Sequence, residues 1–346
     1  MSPPTFPHLL DPARFEGEVD GRPTALYLLR NPRGMVVAIT NLGAKVLQLL
    51  APDRHGVLGD VVLGYDSLTA LQAGAPSMGA FIGRYAGRIS QARFDWDGVP
   101  HALQANAGPH SIHGGPAGLR FQVLNAEQPG AQTLVLTHRF EQAADGFPGN
   151  MDLRLVYRLT DDNELVVEHE ASMTEGSSPA SFTCHAFFNL DGPGSDINGQ
   201  HLQLNSRELL ATDGDNVPTG ALHSLHGHAL DLRSPQQLGA LPDIDHAYVL
   251  AAGDGPAARL VAPQSGRTLE VWTGEPVLQV YGAGQLGNGE VPDTGKGGAV
   301  HRPRAAICLE AQQYPNAVNC PGFPQNRVSP ERPYRAVTRY RFGVVA

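Results

Sequence analysis

The 346-residue sequence has almost no lysine: Lys45 and Lys296 are the only two, against 23 arginines. No run of basic residues occurs, and the formal net charge is −9. Phosphate backbones need a cationic footprint that releases counterions, so nucleic acid is not expected as a partner. Long apolar runs are missing as well. None approaches the ~18–20 residues that cross a bilayer, so no membrane partner is expected. The stretch Met1 to Leu10 lacks the basic start and apolar centre of an export signal. Cys184, Cys308 and Cys320 are too few and too scattered for a disulfide framework or a zinc knuckle. Together these absences predict a cytoplasmic protein in a reducing compartment; the expected assembly is a monomer or homodimer.

Helical pattern is also scarce. Only 67–73 and 234–240 read as briefly helical, and no amphipathic segment separates consecutive strands, so parallel βαβ units are not supported. What the chain has in excess is turn material. Gly (40) and Pro (28) make up about a fifth of it, against a usual ~12%. Strand signals recur between the turns, at 35–40, 133–140, 152–159, 164–171, 181–190, 201–205, 246–251, 258–262, 268–273, 277–281, 305–312 and 334–342. Residues 93–103 read as a hairpin around Asp97-Gly98, a dipeptide that favours the positive φ angles of a type I′ turn. Short strands at regular spacing predict an all-β fold, a large antiparallel β-sandwich. At ~150 residues per domain the length would allow two. No composition break marks a linker, so one domain over 1–346 is expected.

The common nucleotide and hydrolase signatures are absent. Gly289 to Lys296 resembles a phosphate loop, but it has one residue too many and Gly297 where Ser or Thr is needed. No Gly-x-Ser-x-Gly elbow occurs. His223, His226 and His228 have no carboxylate or cysteine at ligand spacing and read as a solvated loop.

Four segments combine ionisable side chains with tight backbone: Gly83–Ile89, Asn106–Gly115, Cys184–Leu190 and Ile307–Gln312. Strand alternation puts Cys308, Glu310 and Gln312 on one face, and His185, Phe187 and Asn189 on one face of another strand. Taken singly, each has a bland reading: His185 a core histidine, Glu310 the partner of an arginine, Arg84 and Arg88 surface charges, His113 a turn residue. Their joint occurrence in this order is more specific.

That order resembles the galactose mutarotase (aldose 1-epimerase) family over nearly the whole chain. The resemblance rests on Asn41–Ala44, Leu63–Asp66, Gly83–Ile89, Asn106–Gly115, Asp145–Gly149 and His185–Leu190. It continues through Val217–Gly220, Asp245-His246, Gln279–Tyr281, Cys308–Gln312 and the tail Tyr334–Phe342. It implies a mutarotase-like supersandwich with an open sugar-binding cleft. It also implies Glu310 as catalytic base, His185 as catalytic acid, and Arg88, His113, Asp245 and Gln279 as substrate-binding residues.

The chemistry suits those residue types. Interconverting α and β anomers of a free aldose opens the ring: a base takes the anomeric hydroxyl proton while an acid protonates the ring oxygen. No hydride or phosphoryl moves, so no cofactor and no metal is expected. Nearby carboxylates are expected to raise the His185 pKa. The family commonly has Asn where this chain has Gly87, Cys184 and Ala247, and the stretch Tyr281–Gly284 also differs. These differences predict retained chemistry with altered, non-galactose sugar preference. Two other readings stay open: a non-catalytic sugar-binding sandwich, which intact His185 and Glu310 disfavour, and a glycoside hydrolase, which would call for two carboxylates.

Overall fold

The computed structural model describes residues 8–289 and 292–345. Most of the stretch read for an export signal lies outside them, as do Glu290 and Val291 within the Gly289–Lys296 segment. Among the described residues no helix is long and apolar enough to cross a membrane.

Two antiparallel sheets dominate. The first has nine strands, in the spatial order Asn125–Gly130, Thr133–Phe140, Met151–Leu159, Glu164–Ser172, Tyr334–Val344, Arg267–Thr273, Ala258–Val261, His201–Leu204 and Gln236–Gln237. The second has six, in the order Phe187–Phe188, Ile307–Gln312, Val277–Tyr281, Asp245–Leu250, Ser206–Thr212 and Pro218–Ser224. A four-stranded sheet runs through Leu26–Arg30, Val36–Thr40, Lys45–Pro52 and Leu58–Asp60. Leu153, Leu155 and Tyr157 of the first sheet, Leu278, Val280, Ile307 and Leu309 of the second, and Val37 and Ile39 of the third share one buried cluster. This is the expected all-β sandwich. Each buried Leu or Ile there contributes about 1.5–3 kcal/mol of apolar burial.

The alternation that builds this core also exposes the opposite face of the six-stranded sheet. Along Ile307–Gln312, the residues Ile307, Leu309 and Ala311 point into the cluster, so Cys308, Glu310 and Gln312 point away from it. Leu278 and Val280 do the same for Gln279 and Tyr281 in the next strand.

The Asp97-Gly98 hairpin forms as expected, with φ of 53° and 77° at its two turn residues. Two expectations need correction, and one strand was missed. The run 181–190 is not one strand: Thr183–Cys184 pairs with Phe81–Ile82, and Phe187–Phe188 pairs with Ile307–Cys308. The chain changes partner at His185-Ala186, which is what frees His185 from a regular ladder. The segment 234–240 is a two-residue strand and a 3₁₀ turn, and only Leu68–Ala73 forms the expected helix. The strand Lys45–Pro52 was not read from the sequence, because it is buried on both faces and shows no alternation.

Both lysines are inside. Lys296 Nζ lies 2.6 Å from Asp60 Oδ2. Lys45 is 3% exposed.

Candidate active site

The outward face of the six-stranded sheet forms the floor of a cavity of about 310 Å³, at the lower end of the size range of small-molecule sites. Strand register sets its floor. Ala247 sits opposite Gln279 and Gln279 opposite Glu310, a straight row across three strands. The next row runs Asp245, Tyr281, Cys308 and Phe187. Continuing the Phe187–Cys308 register by two residues places His185 against Glu310. Their side chains meet there, with His185 Nε2 3.6 Å from Glu310 Oε1.

All six residues singled out from the sequence line this one cavity: Arg88, His113, His185, Asp245, Gln279 and Glu310. Asp245 Oδ1 accepts from Gln279 Nε2 at 2.7 Å, and Oδ2 accepts from Asn216 Nδ2 at 3.5 Å. Both amides leave the carboxylate fixed in direction. His113 Nδ1 accepts from the Gly87 backbone N–H at 3.2 Å, which leaves Nε2 as the protonated ring nitrogen. His113 itself has φ of 57°, and a Cβ on the next residue, Gly114, would lie 2.3 Å from the Gly83 carbonyl oxygen. The His-Gly pair is thus a packing requirement that presents the imidazole to the cavity. Phe187 stacks on His185 with ring centroids 5.1 Å apart and 10° between planes.

The electrostatics of the central pair follow from dryness. Burial, with the nearby charge of Asp245, raises the Glu310 pKa well above the ordinary carboxylate range. Burial and then Arg120 push His185 down to about 4. This reverses the expected rise for His185: burial outweighs any neighbouring carboxyl group, and the Arg120 cation adds to it. The pair therefore keeps one proton between two groups. Burial raises Asp245 too, opposed by Arg88.

Several cavity atoms have no partner in the protein. Glu310 Oε2, His185 Nδ1, Arg120 Nε and both amide atoms of Gln312 are buried without a hydrogen bond. Buried polar atoms are normally satisfied, so this group of orphans leaves hydrogen-bonding capacity at the cavity that the protein itself does not fill.

Arg120, Gln312 and Asn216 are cavity residues that were not singled out as site residues. Gln312 shares the Glu310 face and was within reach of the alternation argument. Arg120 sits on a 3₁₀ turn after Gly114-Gly115, and nothing in the local pattern marks it. Arg84 does not join the site. It is 1% exposed, pairs with Asp145 at 3.2 Å and donates to the Gly149 carbonyl, so it ties the Gly83–Ile89 segment to Asp145–Gly149.

His185, Cys308 and Glu310 offer three atoms within 4.8 Å of one another. Burial raises the Cys308 thiol well above its ordinary value and keeps it protonated, whereas a metal takes the thiolate. This donor set does not suit a metal. His223, His226 and His228 are exposed on the strand Pro218–Ser224 and the turn after it, and His228 Nδ1 accepts from the Leu230 N–H.

The aldose 1-epimerase family profile matches residues 25–341. The chain belongs to the aldose 1-epimerase family. It is 32% identical to the aldose 1-epimerase of Escherichia coli K12, over 93% of this chain and 96% of that one. It is 34% identical to human galactose mutarotase, over 89% of this chain and 91% of that one. Among solved structures, an aldose epimerase homologue from C. elegans superposes with a TM-score of 0.88 at 28% identity, covering 93% of this chain and all of the other.

The departures from the family pattern fall unequally around the cavity of this epimerase. Gly87 and Ala247 line it. A Cβ on Gly87 would lie 2.6 Å from Pro315 Cβ, so Pro315 occupies the space that a side chain would need. Cys184 faces the central core instead and has no access to a sugar. Neither Gly282 nor Gly284 reaches the cavity wall, which at that end is Tyr281, Gln285 and Leu286.

Proposed function

We propose that the cavity carries out anomer interconversion of a free aldose by acid–base ring opening and reclosure, with His185 and Glu310 as the proton-transferring pair. The observation that carries this reading is the 3.6 Å approach of His185 Nε2 to Glu310 Oε1, with the remaining acceptor and donor atoms of both groups unpaired. Ring opening removes a proton from the anomeric oxygen and adds one to the ring oxygen, so the enzyme's proton count does not change. A buried pair holding one proton meets that requirement.

Burial favours the proton on Glu310 over His185. Sugar hydroxyls supply hydrogen bonds to the pair, and the carboxylate–imidazolium arrangement then becomes accessible. From it Glu310 accepts the anomeric proton while His185 donates to the ring oxygen. Rotation about C1–C2 turns the open-chain aldehyde over, and the two groups work in reverse on closure. Arg88 and the Nε2–H of His113 stabilise charge developing on oxygen. Asp245, held by Gln279, orients the ring through its hydroxyls. We read the described residues as one catalytic unit, because segments from Ala75 to Pro315 contribute to the cavity.

The test is polarimetry on freshly dissolved α-glucose, α-galactose and a pentose. The expected result is equilibration faster than buffer for at least one of them. No acceleration of any free aldose, with the protein folded, would overturn the reading.

A further inference from the structure

Three arginines of this protein are buried, and two are compensated. Arg84 has Asp145. Arg267 donates to the carbonyls of Ala51, Leu190 and Val57. The third is Arg120. It is 6% exposed, lies over the Phe121 ring 4.9 Å from its centroid, donates from one terminal nitrogen to Ser77 Oγ at 2.8 Å, and leaves Nε buried without a hydrogen-bond partner. Among the described residues no carboxylate pairs with its guanidinium. Lys45, itself buried, lies close enough that Arg120 helps lower its pKa to about 8, so the neighbouring protein adds positive charge. A buried cation without a counter-charge is costly unless something else supplies one. Arg120 and Ser77 both open on the cavity.

The position of Arg120 in the cavity is informative. Ser77, which holds Arg120, lies just before Gly79-Ala80, whose backbone exchanges hydrogen bonds with His185 at the Phe187 edge of the sheet. Asp245 and Gln279 bond each other on the strands beyond Glu310, so the cavity has two polar ends: Asp245 and Gln279 at one, Arg120 and Ser77 at the other. On the mechanism above, His185 addresses the ring oxygen. In a hexopyranose the ring oxygen is bonded to C5, and C5 carries the exocyclic carbon C6. A group on C6 thus projects beside the atom that His185 protonates.

We propose that Arg120 and Ser77 form a subsite for an anionic group on the exocyclic carbon, so that this epimerase prefers acidic aldoses, hexuronates foremost, over neutral ones. In a hexuronate C6 is itself the carboxylate carbon, bonded to C5, and it pairs with the guanidinium in the planar geometry that arginine favours. A hexose 6-phosphate presents a larger negative charge two bonds further out, on the phosphorus beyond O6. The inference rests on the mutarotase reading and deepens it by naming the substrate class.

The experiment compares kcat/KM by polarimetry for a hexose, the matching hexuronate and the matching hexose 6-phosphate, using wild type, Arg120→Gln and Arg120→Lys. The expected result is a hexuronate-to-hexose ratio of about ten or more in wild type. Arg120→Gln should lower that ratio at least tenfold, and Arg120→Lys should restore part of it. A larger gain for the phosphate ester supports the anion subsite with phosphate as its occupant. A wild-type ratio at or below one overturns the inference, as does a ratio that Arg120→Gln leaves unchanged, which would make Arg120 a structural residue. Acceleration of neutral aldoses alone keeps the mutarotase reading while removing the subsite. Acceleration of no aldose, neutral or acidic, removes the mutarotase reading itself. Thermal unfolding of both variants checks that the ratios refer to folded protein.

Discussion

Two buried pairs of opposite character lie in this molecule. Lys296 and Asp60 are each about 1% exposed and 2.6 Å apart. Lys296 Nζ also donates to the carbonyls of Leu47 and Val62. Asp60 accepts from Gln48 Nε2 and from the backbone N–H groups of Leu49 and Val62. His185 and Glu310 are nearly as buried, but they stand 3.6 Å apart with one polar atom each left unbonded. Desolvation is comparable at the two places. The difference is satisfaction: the first pair spends its hydrogen-bonding capacity on the protein, and the second leaves part of it unused. A closed network stabilises one conformation, whereas an open one is available for proton transfer.

The largest expected effect is on the open pair. Glu310→Gln should lower kcat by about 10²–10⁴-fold, the usual contribution of a positioned acid–base group. Its melting temperature should stay at or above that of wild type, because Gln imitates the protonated carboxyl that burial already enforces. Retention of full activity in polarimetry would break the assignment. The closed pair predicts the converse. Lys296→Met leaves Asp60 buried without its cation and should cost about 3–5 kcal/mol in urea unfolding, with kcat per folded molecule unaffected. A smaller cost would mean that the carbonyl contacts, not the charge, hold this region.

The pH profile sharpens the same contrast. The open pair is competent while it holds one proton. A second proton enters as pH falls toward the His185 value of about 4, and the one proton leaves only well above the ordinary carboxylate range. The plateau of kcat/KM should therefore extend down to about pH 4–5 before falling about tenfold per unit. An acid limb centred near the ordinary histidine value of about 6.5 would show that His185 is not desolvated as described.

Much of this was legible in the residues, and the exceptions have physical causes. Alternation along Ile307–Gln312 predicted which residues leave the core, because a strand with one face in a core and one facing a cavity keeps a strict period of two. The hairpin at Asp97-Gly98 was legible because only a few residue types accept two consecutive positive φ angles. The strand Lys45–Pro52 was not, since burial on both faces erases alternation. Arg120 was not either: an arginine in a 3₁₀ turn looks the same in sequence whether it meets water or a cavity, and only the missing counter-charge distinguishes it. The pKa direction of His185 was misjudged for a related reason. Residue types near a histidine can be guessed from motif order, but the dryness that outweighs them depends on how the sheets close.

The smallest effect tests the comparison one side chain at a time. Gln200 and Gln312 are both at most 1% exposed. Gln200 is closed: Nε2 donates to Asn189 Oδ1 at 2.7 Å, and Oε1 accepts from the Leu190 N–H at 3.5 Å. Gln312 is open, with neither amide atom bonded. An unsatisfied buried polar group costs about 1–3 kcal/mol, so Gln312→Leu should leave the fold as stable as wild type or about 1 kcal/mol more stable. Gln200→Leu removes two made bonds and orphans their partners, so it should destabilise by about 1–3 kcal/mol. In polarimetry the order inverts: Gln312→Leu should raise KM several-fold, because its amide no longer meets a sugar hydroxyl. If both substitutions destabilise equally and neither changes KM, the orphaned atoms of the cavity are not reserved for substrate, and the distinction between closed and open pairs loses its functional meaning.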